Sequence, residues 1–318
     1  MQTNVVKPAI AVSDLRRAYG SVEAVRGVSF QVERGEVFCL LGPNGAGKTT
    51  TVEILEGYRD RSAGDVSVLG IDPASGAREL RDRTGIVLQQ CGVQSDLTVH
   101  ELLEMYGRYH LAPLPIGEVL SLVGLDVKRD TRARELSGGQ RRRLDFALAL
   151  IGDPELIFLD EPTTGFDPAA RRNAWSAIRS LRALGKTVVL TTHLMDEAQE
   201  LADTVAVMRD GTIVALGSPD QLGGRDARPA EIRFTLPGGV GLAELPLMPC
   251  EVLRMDGERA LVVTPEPVVA LAHLTGWAIE HGLALRALSV TQPTLEDIYL
   301  ELTGPQRSAA PDLQEVLV

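Results

Sequence analysis

"LLGPNGAGKTTT", Leu40 to Thr51, is the stretch whose reading decides the fold. It fits the pattern G-x-x-x-x-G-K-[ST] at Gly42, Gly47, Lys48 and Thr49. Glycines at such positions let backbone N–H groups approach phosphate oxygens with no Cβ in the way. A helix opening at about Lys48 adds the positive end of its dipole. The pattern assigns Lys48 to the β and γ phosphates and Thr49 to Mg²⁺, with Asn44, Gly45 and Thr50 completing the binding stretch. The preceding run "EVFCLL" (Glu36–Leu41) reads as a strand, so the glycines fall at a strand-to-helix turn. That context argues against a glycine-rich turn that matches by chance.

Further along, "LIFLDEP" (Leu156–Pro162) reads as a buried strand followed by two acids. Asp160 stands at the carboxyl end of the strand, where open α/β sheets gather their ligands. An acid there can hold Mg²⁺, and Glu161 next to it can polarise a water as a general base. Alone, this would be a strand ending in two solvated acids. Beside a phosphate loop the two carboxylates acquire a use.

Between these lies "ELSGGQRRRLDFALALIGDP" (Glu135–Pro154). Ser137 is a good N-cap, Gly138 and Gly139 leave backbone N–H groups accessible, and a helix is expected from Gln140. Leu144, Ala147, Leu148 and Ile151 have helical spacing and are expected in the core. Arg141, Arg142 and Arg143 are expected to be solvated or paired with acids. The Ser137–Gln140 turn is then a second anion-directed helix start. A chain that grips one nucleotide has no evident use for two.

Phosphate loop, "LSGGQ" and "FLDEP", in that order, resemble the nucleotide-binding subunits of ABC transporters across residues 8–222. The resemblance implies an α/β fold, a P-loop NTPase of the ABC type. Its mixed core sheet would carry an antiparallel β subdomain and a helical insert at 90–150. It implies ATP and Mg²⁺, hydrolysis, and roles residue by residue. Tyr19 resembles the aromatic that stacks on adenine. Gln89 in "GIVLQQ" resembles the glutamine that contacts Mg²⁺ and senses a membrane subunit. Gln90 is the neighbouring alternative, and the spacing to "LTV" at Leu97 favours Gln89. Asp167 in "TTGFDP" resembles the aspartate loop that crosses between subunits, with Phe166 where leucine is more usual. His193 in "LTTHLMDEA" resembles the switch histidine that touches the γ-phosphate. Ser137, Gly138, Gly139 and Gln140 are expected to cap the γ-phosphate of ATP held by the Lys48 loop of a second copy. The implied partners are that second copy and a separately encoded membrane-spanning permease.

"EPTTGFDP", "TTHLMDEAQELADTVAVM" and the closing "QPTLEDIYLELTG" (Gln292–Gly304) narrow the resemblance to ABC-2 type exporters, including bacterial drug and antibiotic exporters. The expected organisation is a nucleotide-binding domain at 1–222, a linker at 223–230, a small α+β accessory domain at 231–303 and a tail at 304–318. Asp210-Gly211 and Asp256-Gly257 signal hairpins. Helices are expected near Val268–His281 and, capped by Thr294, over "TLEDIYLEL".

Composition bounds the partners. Hydrophobic residues are 44% and charged residues 24%, ordinary globular usage. A net charge of -11 argues against nucleic acid, which favours a basic footprint. Cys39, Cys91 and Cys250 form no C-x-x-C, so neither zinc nor a disulfide framework is expected. No apolar run reaches the ~18 residues of a membrane helix, so a membrane role is expected through a partner, at the cytoplasmic face. The rival readings are an importer or polysaccharide-exporter ATPase, a soluble ABC protein acting on nucleic acid or ribosomes, and a non-hydrolysing regulatory subunit. The last would be expected to lack Glu161 or His193.

Overall fold

The computed structural model describes residues 7–87, 94–292 and 294–303, so Gln89 and Gln90 lie outside the described residues. The chain divides into two compact units, 1–219 and 220–318. In chain order the first contains β1 (Ile10–Tyr19), β2 (Val22–Val32), β3 (Val37–Leu41), α1 (Lys48–Leu55), β4 (Ala63–Val68), α2 (Arg78–Arg83), β5 (Thr84–Val87), α3 (Val99–Gly107), α4 (Ile116–Val123) and α5 (Gly138–Leu150). It continues with β6 (Leu156–Asp160), α6 (Pro168–Ala183), β7 (Thr187–Thr192), α7 (Met195–Leu201), β8 (Thr204–Arg209) and β9 (Thr212–Gly217).

Two sheets form from these strands. One is antiparallel, ordered β2-β1-β4. Its strands follow the two-residue period, burying Val28, Phe30 and Val32 on one face. The other is ordered β5-β6-β7-β3-β8-β9, parallel throughout except for the β8–β9 hairpin. In its central strands β3 and β7 every residue is buried, the pattern of a parallel strand covered on both faces. The two sheets share a core in which Phe30 stacks on Phe38 at 5.0 Å between ring centroids.

Because β6, β7 and β3 are neighbours and parallel, their carboxyl ends lie side by side. The loop after β3, the two acids closing β6 and the histidine after β7 are thereby gathered at one edge. The β8–β9 turn supports this edge. Asp210 and Gly211 have φ of 48° and 79°, as a type I′ turn requires, and Gly211 N–H donates to the Ala46 carbonyl at 3.1 Å.

The helix expected from Gln140 begins at Gly138, because Ser137 and Gln140 close a reciprocal capping box. Leu144, Ala147 and Ile151 are buried as expected, and Leu148 is half-buried. Arg142 is paired with an acid, Asp145, at 3.7 Å, one of the two expected outcomes, but the pair is buried, and Arg142 Nε donates to the Pro162 carbonyl at 3.3 Å. Helical spacing sets it on one face with Asp145 and Phe146, turned inward, while Arg141 stays exposed.

The second unit contains β10 (Ala230–Thr235), β11 (Val252–Asp256), β12 (Arg259–Thr264), α8 (Pro267–Glu280), β13 (Arg286–Thr291) and α9 (Leu295–Thr303). Its antiparallel sheet is ordered β11-β12-β10-β13. Ala270 and Leu274 of α8 join Ile232, Phe234 and Val262 in its core. The β11–β12 turn is Gly257-Glu258, one residue beyond the Asp-Gly pair. Thr294 caps α9, its Oγ1 accepting from Asp297 N–H at 3.1 Å. At the start of the stretch expected as a linker, Gly223 and Gly224 are left-handed, with φ of 64° and 72°, and the residue before them, Leu222, is buried. Among the described residues no helix is long and apolar enough to cross a membrane.

Two glutamates should give opposite pH dependences. The guanidinium groups of Arg83 and Arg34 hold the Glu155 carboxyl down at about 2. Its stabilising effect is complete above the unfolded value of ~4.3 and is lost as pH falls toward 2. The pair is substantially exposed, so the effect is at most ~1 kcal/mol. Glu155→Gln should melt slightly lower than the parent at pH 7, and the difference should shrink as pH drops below 4. At the end of α1, burial and then the charges of Asp160 and Glu53 push the Glu56 carboxyl up to about 8. The folded state keeps a proton that the unfolded chain releases above ~4.3, so stability falls as pH rises from there to 8. Glu56→Gln should therefore raise the melting temperature at pH 8 and leave it unchanged at pH 4. Thermal unfolding across that range checks both.

Candidate functional site

A cleft of about 460 Å³ opens at the edge where β3 and β6 end. It is lined by Ala24, Asn44, Gly45, Gly47, Lys48, Thr49, Thr50, Asp160 and Glu161. The loop that forms it needs its glycines. A Cβ on Gly42 would stand 2.4 Å from the Met208 carbonyl oxygen, and one on Gly47 2.5 Å from that of Ala24. Gly45 and Gly47 have φ of 84° and 98°, the left-handed region. The loop therefore presents backbone rather than side chain to the cleft.

Lys48 sits at the first position of α1 and is 5% exposed. Its ammonium donates to the carbonyls of Gly42 at 2.8 Å and Pro43 at 3.1 Å. Burial pushes its pKa down, and the charges of Glu161 and Asp160 oppose that shift. The nearest carboxylate oxygen, Glu161 Oε1, is 3.9 Å away. The cation thus has room for an anion in the cleft, and phosphate suits it.

Two acids close β6. Asp160 Oδ1 accepts from Thr191 Oγ1 at 2.5 Å. Glu161 has φ of 44°, a left-handed backbone that is uncommon outside glycine. Its N–H is held by both the carbonyl and the hydroxyl of Thr191, each at 3.1 Å, and Thr164 Oγ1 donates to its Oε2 at 3.0 Å. His193 follows β7, with Nδ1 3.3 Å from Glu161 Oε1. That nitrogen is buried against the carboxylate, while the side chain as a whole is 37% exposed. Asp160 and Thr49 line the same cleft, and a carboxylate with a hydroxyl is a hard oxygen pair that suits Mg²⁺. Gln89, the third expected ligand, lies outside the described residues.

A second recess, of about 710 Å³, has Ser137, Gly138, Gly139 and Gln140 on one side and Asp167 on the other. Ser137 Oγ accepts from Gln140 N–H at 3.3 Å and Gln140 Oε1 accepts from Ser137 N–H at 3.0 Å. Both side chains are thus engaged within the turn. The N–H groups of Gly138 and Gly139 make no hydrogen bond among the described residues, and a Cβ on either would meet nothing within 4 Å. Asp167 caps α6, accepting from Ala169 and Ala170 N–H at 2.8 and 2.9 Å, and those bonds lower its pKa. The structure therefore joins Asp167 to the Ser-Gly-Gly turn rather than to the Lys48 cleft. Tyr19 lines neither space. It is 39% exposed at the end of β1, with the guanidinium groups of Arg17 and Arg59 at 4.7 and 5.4 Å from its ring.

Residues 25–164 match the ABC transporter family, and residues 230–294 match the ABC transporter domain-containing protein-like, C-terminal domain. The chain is 38% identical over 303 residues to the Nod factor export ATP-binding protein I of Ralstonia nicotianae, covering 93% of this chain and 94% of that protein. It is 39% identical over 306 residues to the protein of the same name from Rhizobium johnstonii, covering 93% and 95%. Among solved structures it is similar to cbiO1 from Clostridium perfringens, described as part of the ABC transporter complex cbiONQ. That match has 28% identity, a TM-score of 0.62 and coverage of 68% of this chain and 90% of the other. With its phosphate loop, its paired acids and its Ser-Gly-Gly helix start on one such cassette, the chain belongs to the ATP-binding proteins of ABC transporters and is an ATPase of that type.

Proposed function

We propose that this chain powers export through a separate membrane-spanning partner, and that it works as a dimer closed around two ATP molecules. One observation carries the dimer reading. The Lys48 cleft and the Ser137 recess share no lining residue, so within one chain the two anion-directed turns serve different spaces. In a head-to-tail dimer each recess faces the cleft of the other copy. The open N–H groups of Gly138 and Gly139 then cap the γ-phosphate that the other copy's Lys48 holds.

In this reading the loop N–H groups and Lys48 orient the β and γ phosphates, and Tyr19 stacks on the adenine. Thr49, Asp160 and Gln89 hold Mg²⁺, which when bound neutralises charge on the phosphate oxygens. Glu161 accepts the proton of the attacking water as its oxygen bonds to the γ-phosphorus, and the bond to ADP breaks. His193, next to Glu161, steadies the γ-phosphate. Asp167 joins the contact between copies. ATP holds the copies together and its loss lets them part.

The relatives' name, Nod factor export ATP-binding protein I, supports an exporter. Among the described residues no helix can cross a membrane, which supports a cargo path in a partner permease, with this chain at the cytoplasmic face. The cargo is a drug-, antibiotic- or lipid-like molecule selected by that permease, and Gln89 relays its arrival.

Two experiments test this reading. Glu161→Gln keeps the shape and removes the proton acceptor, so hydrolysis should fall by at least ~10²-fold while ATP binding persists. Near-normal turnover would remove Glu161 as the base. Lys48→Ala and Ser137→Arg chains should each be inactive alone. Mixed together they form dimers in which one composite site carries both lesions and the other neither, so activity should return. A site built within one chain would stay inactive in every mixture.

A further inference from the structure

A carboxylate that the mechanism does not use lies beneath the site. Glu197, on α7, is 1% exposed. Its Oε1 accepts from Thr163 Oγ1 at 2.7 Å and from Trp175 Nε1 at 3.1 Å. Its Oε2 is buried and has no hydrogen-bond partner among the described residues. Thr163 is itself fully buried. A buried carboxylate without a cation is costly, and an apolar side chain would fill that space at lower cost. Held by two donors from other elements, the carboxylate can serve as a tie between them.

The partners indicate that role. Thr163 stands two residues after Glu161 and four before Asp167. Trp175 is on α6, the helix that Asp167 caps. Glu197 itself is on the helix that the chain enters directly from His193. One oxygen atom therefore ties together the segment carrying the catalytic carboxylate, the helix behind the aspartate loop and the helix behind the histidine. The strained Glu161 backbone is held at its N–H by Thr191, and the Thr163 bond anchors the chain on its other side.

We propose that Glu197 is a positioning residue: it fixes the 161–167 loop and the His193 helix as one body, so that Glu161 and His193 keep their spacing while the two copies close and open. This rests on the reading of Glu161 and His193 given above. A group acting only through geometry changes turnover more than nucleotide affinity, and misplacement of about 1 Å can cost up to ~10²-fold in rate.

The direct test, Glu197→Leu, puts an apolar side chain where the carboxylate was. A second pair reads the same bond without touching the buried acid. Thr163→Val keeps the shape and loses the hydroxyl, and Thr163→Ser keeps the hydroxyl and loses a methyl. On the full-length chain, Thr163→Val should lower kcat by ~10-fold or more, with Mg·ATP affinity measured by calorimetry unchanged; its melting temperature should fall, because a buried acceptor loses its donor, and the assay is run well below that transition. Thr163→Ser should stay close to the parent, and Glu197→Leu, where it folds, should match Thr163→Val. Parental turnover in Thr163→Val, an equal loss in Thr163→Ser, or a drop in kcat mirrored by weaker ATP binding would each overturn the proposal. Glu161→Gln measured alongside separates the two readings. If it hydrolyses normally, the assignment of Glu161 fails. If it is inactive while Thr163→Val is parental, only the role of Glu197 fails.

Discussion

A buried ammonium group is the constraint on which the rest of this site depends. Lys48 is held by two backbone carbonyls and faces a carboxylate oxygen only at 3.9 Å. A cation in such a place must be surrounded by acceptors or it costs several kcal/mol. The loop can supply the Gly42 and Pro43 carbonyls only by wrapping tightly around the side chain. That wrapping demands left-handed backbone at Gly45 and Gly47 and close approach to the Ala24 and Met208 carbonyls. The antiparallel sheet and the β8–β9 hairpin are therefore parts of the anion site, because each brings one of those carbonyls or braces the loop from outside.

The second stress lies at Glu161. A non-glycine residue in the left-handed region costs on the order of 1–3 kcal/mol. The neighbouring strand offsets that cost: one Thr191 side chain accepts from the Glu161 N–H and donates to Asp160. The same hydroxyl thus turns the two consecutive acids apart. Asp160 stays in line with β6, and Glu161 swings toward Lys48 and His193. The strain is local, its supports come from β7, and it stands between the Lys48 cation and the His193 ring.

Much of this was legible in the sequence wherever the signal is local. The phosphate loop compresses its glycines, lysine and threonine into eight positions, and each residue type has a single physical reason to be there. Strand β6 reads from four apolar residues and its terminal acids. Features that depend on distant partners were not legible. The run Arg141–Arg143 reads as solvated or paired with acids, and Arg142 does pair with Asp145, yet its burial against the Pro162 carbonyl, 20 residues later in the chain, was not legible. Glu197 sits in the polar run "MDEAQE" and looks exposed, but its partners are 34 and 22 positions away. The helix expected from Gln140 starts two residues earlier because the Gln140 side chain folds back to cap it. The glycine-rich stretch at 223–230 reads as a linker, although it lies inside the second compact unit, 220–318.

The glycines separate what the chain needs for itself from what it keeps for something else. Gly42 and Gly47 are required by the chain's own close contacts, since a methyl group at either would strike backbone. Gly138 and Gly139 are required by no such contact. Open space surrounds both, neither has a left-handed backbone, and their N–H groups point to no acceptor among the described residues. Glycine at a helix start carries an entropic cost with nothing inside the chain to offset it. An acceptor from outside that approaches too closely to tolerate a side chain would offset it, which is the proposed role of this turn. A phosphate presented by another copy meets that requirement, whereas a phosphate in the chain's own cleft lies against a different set of residues.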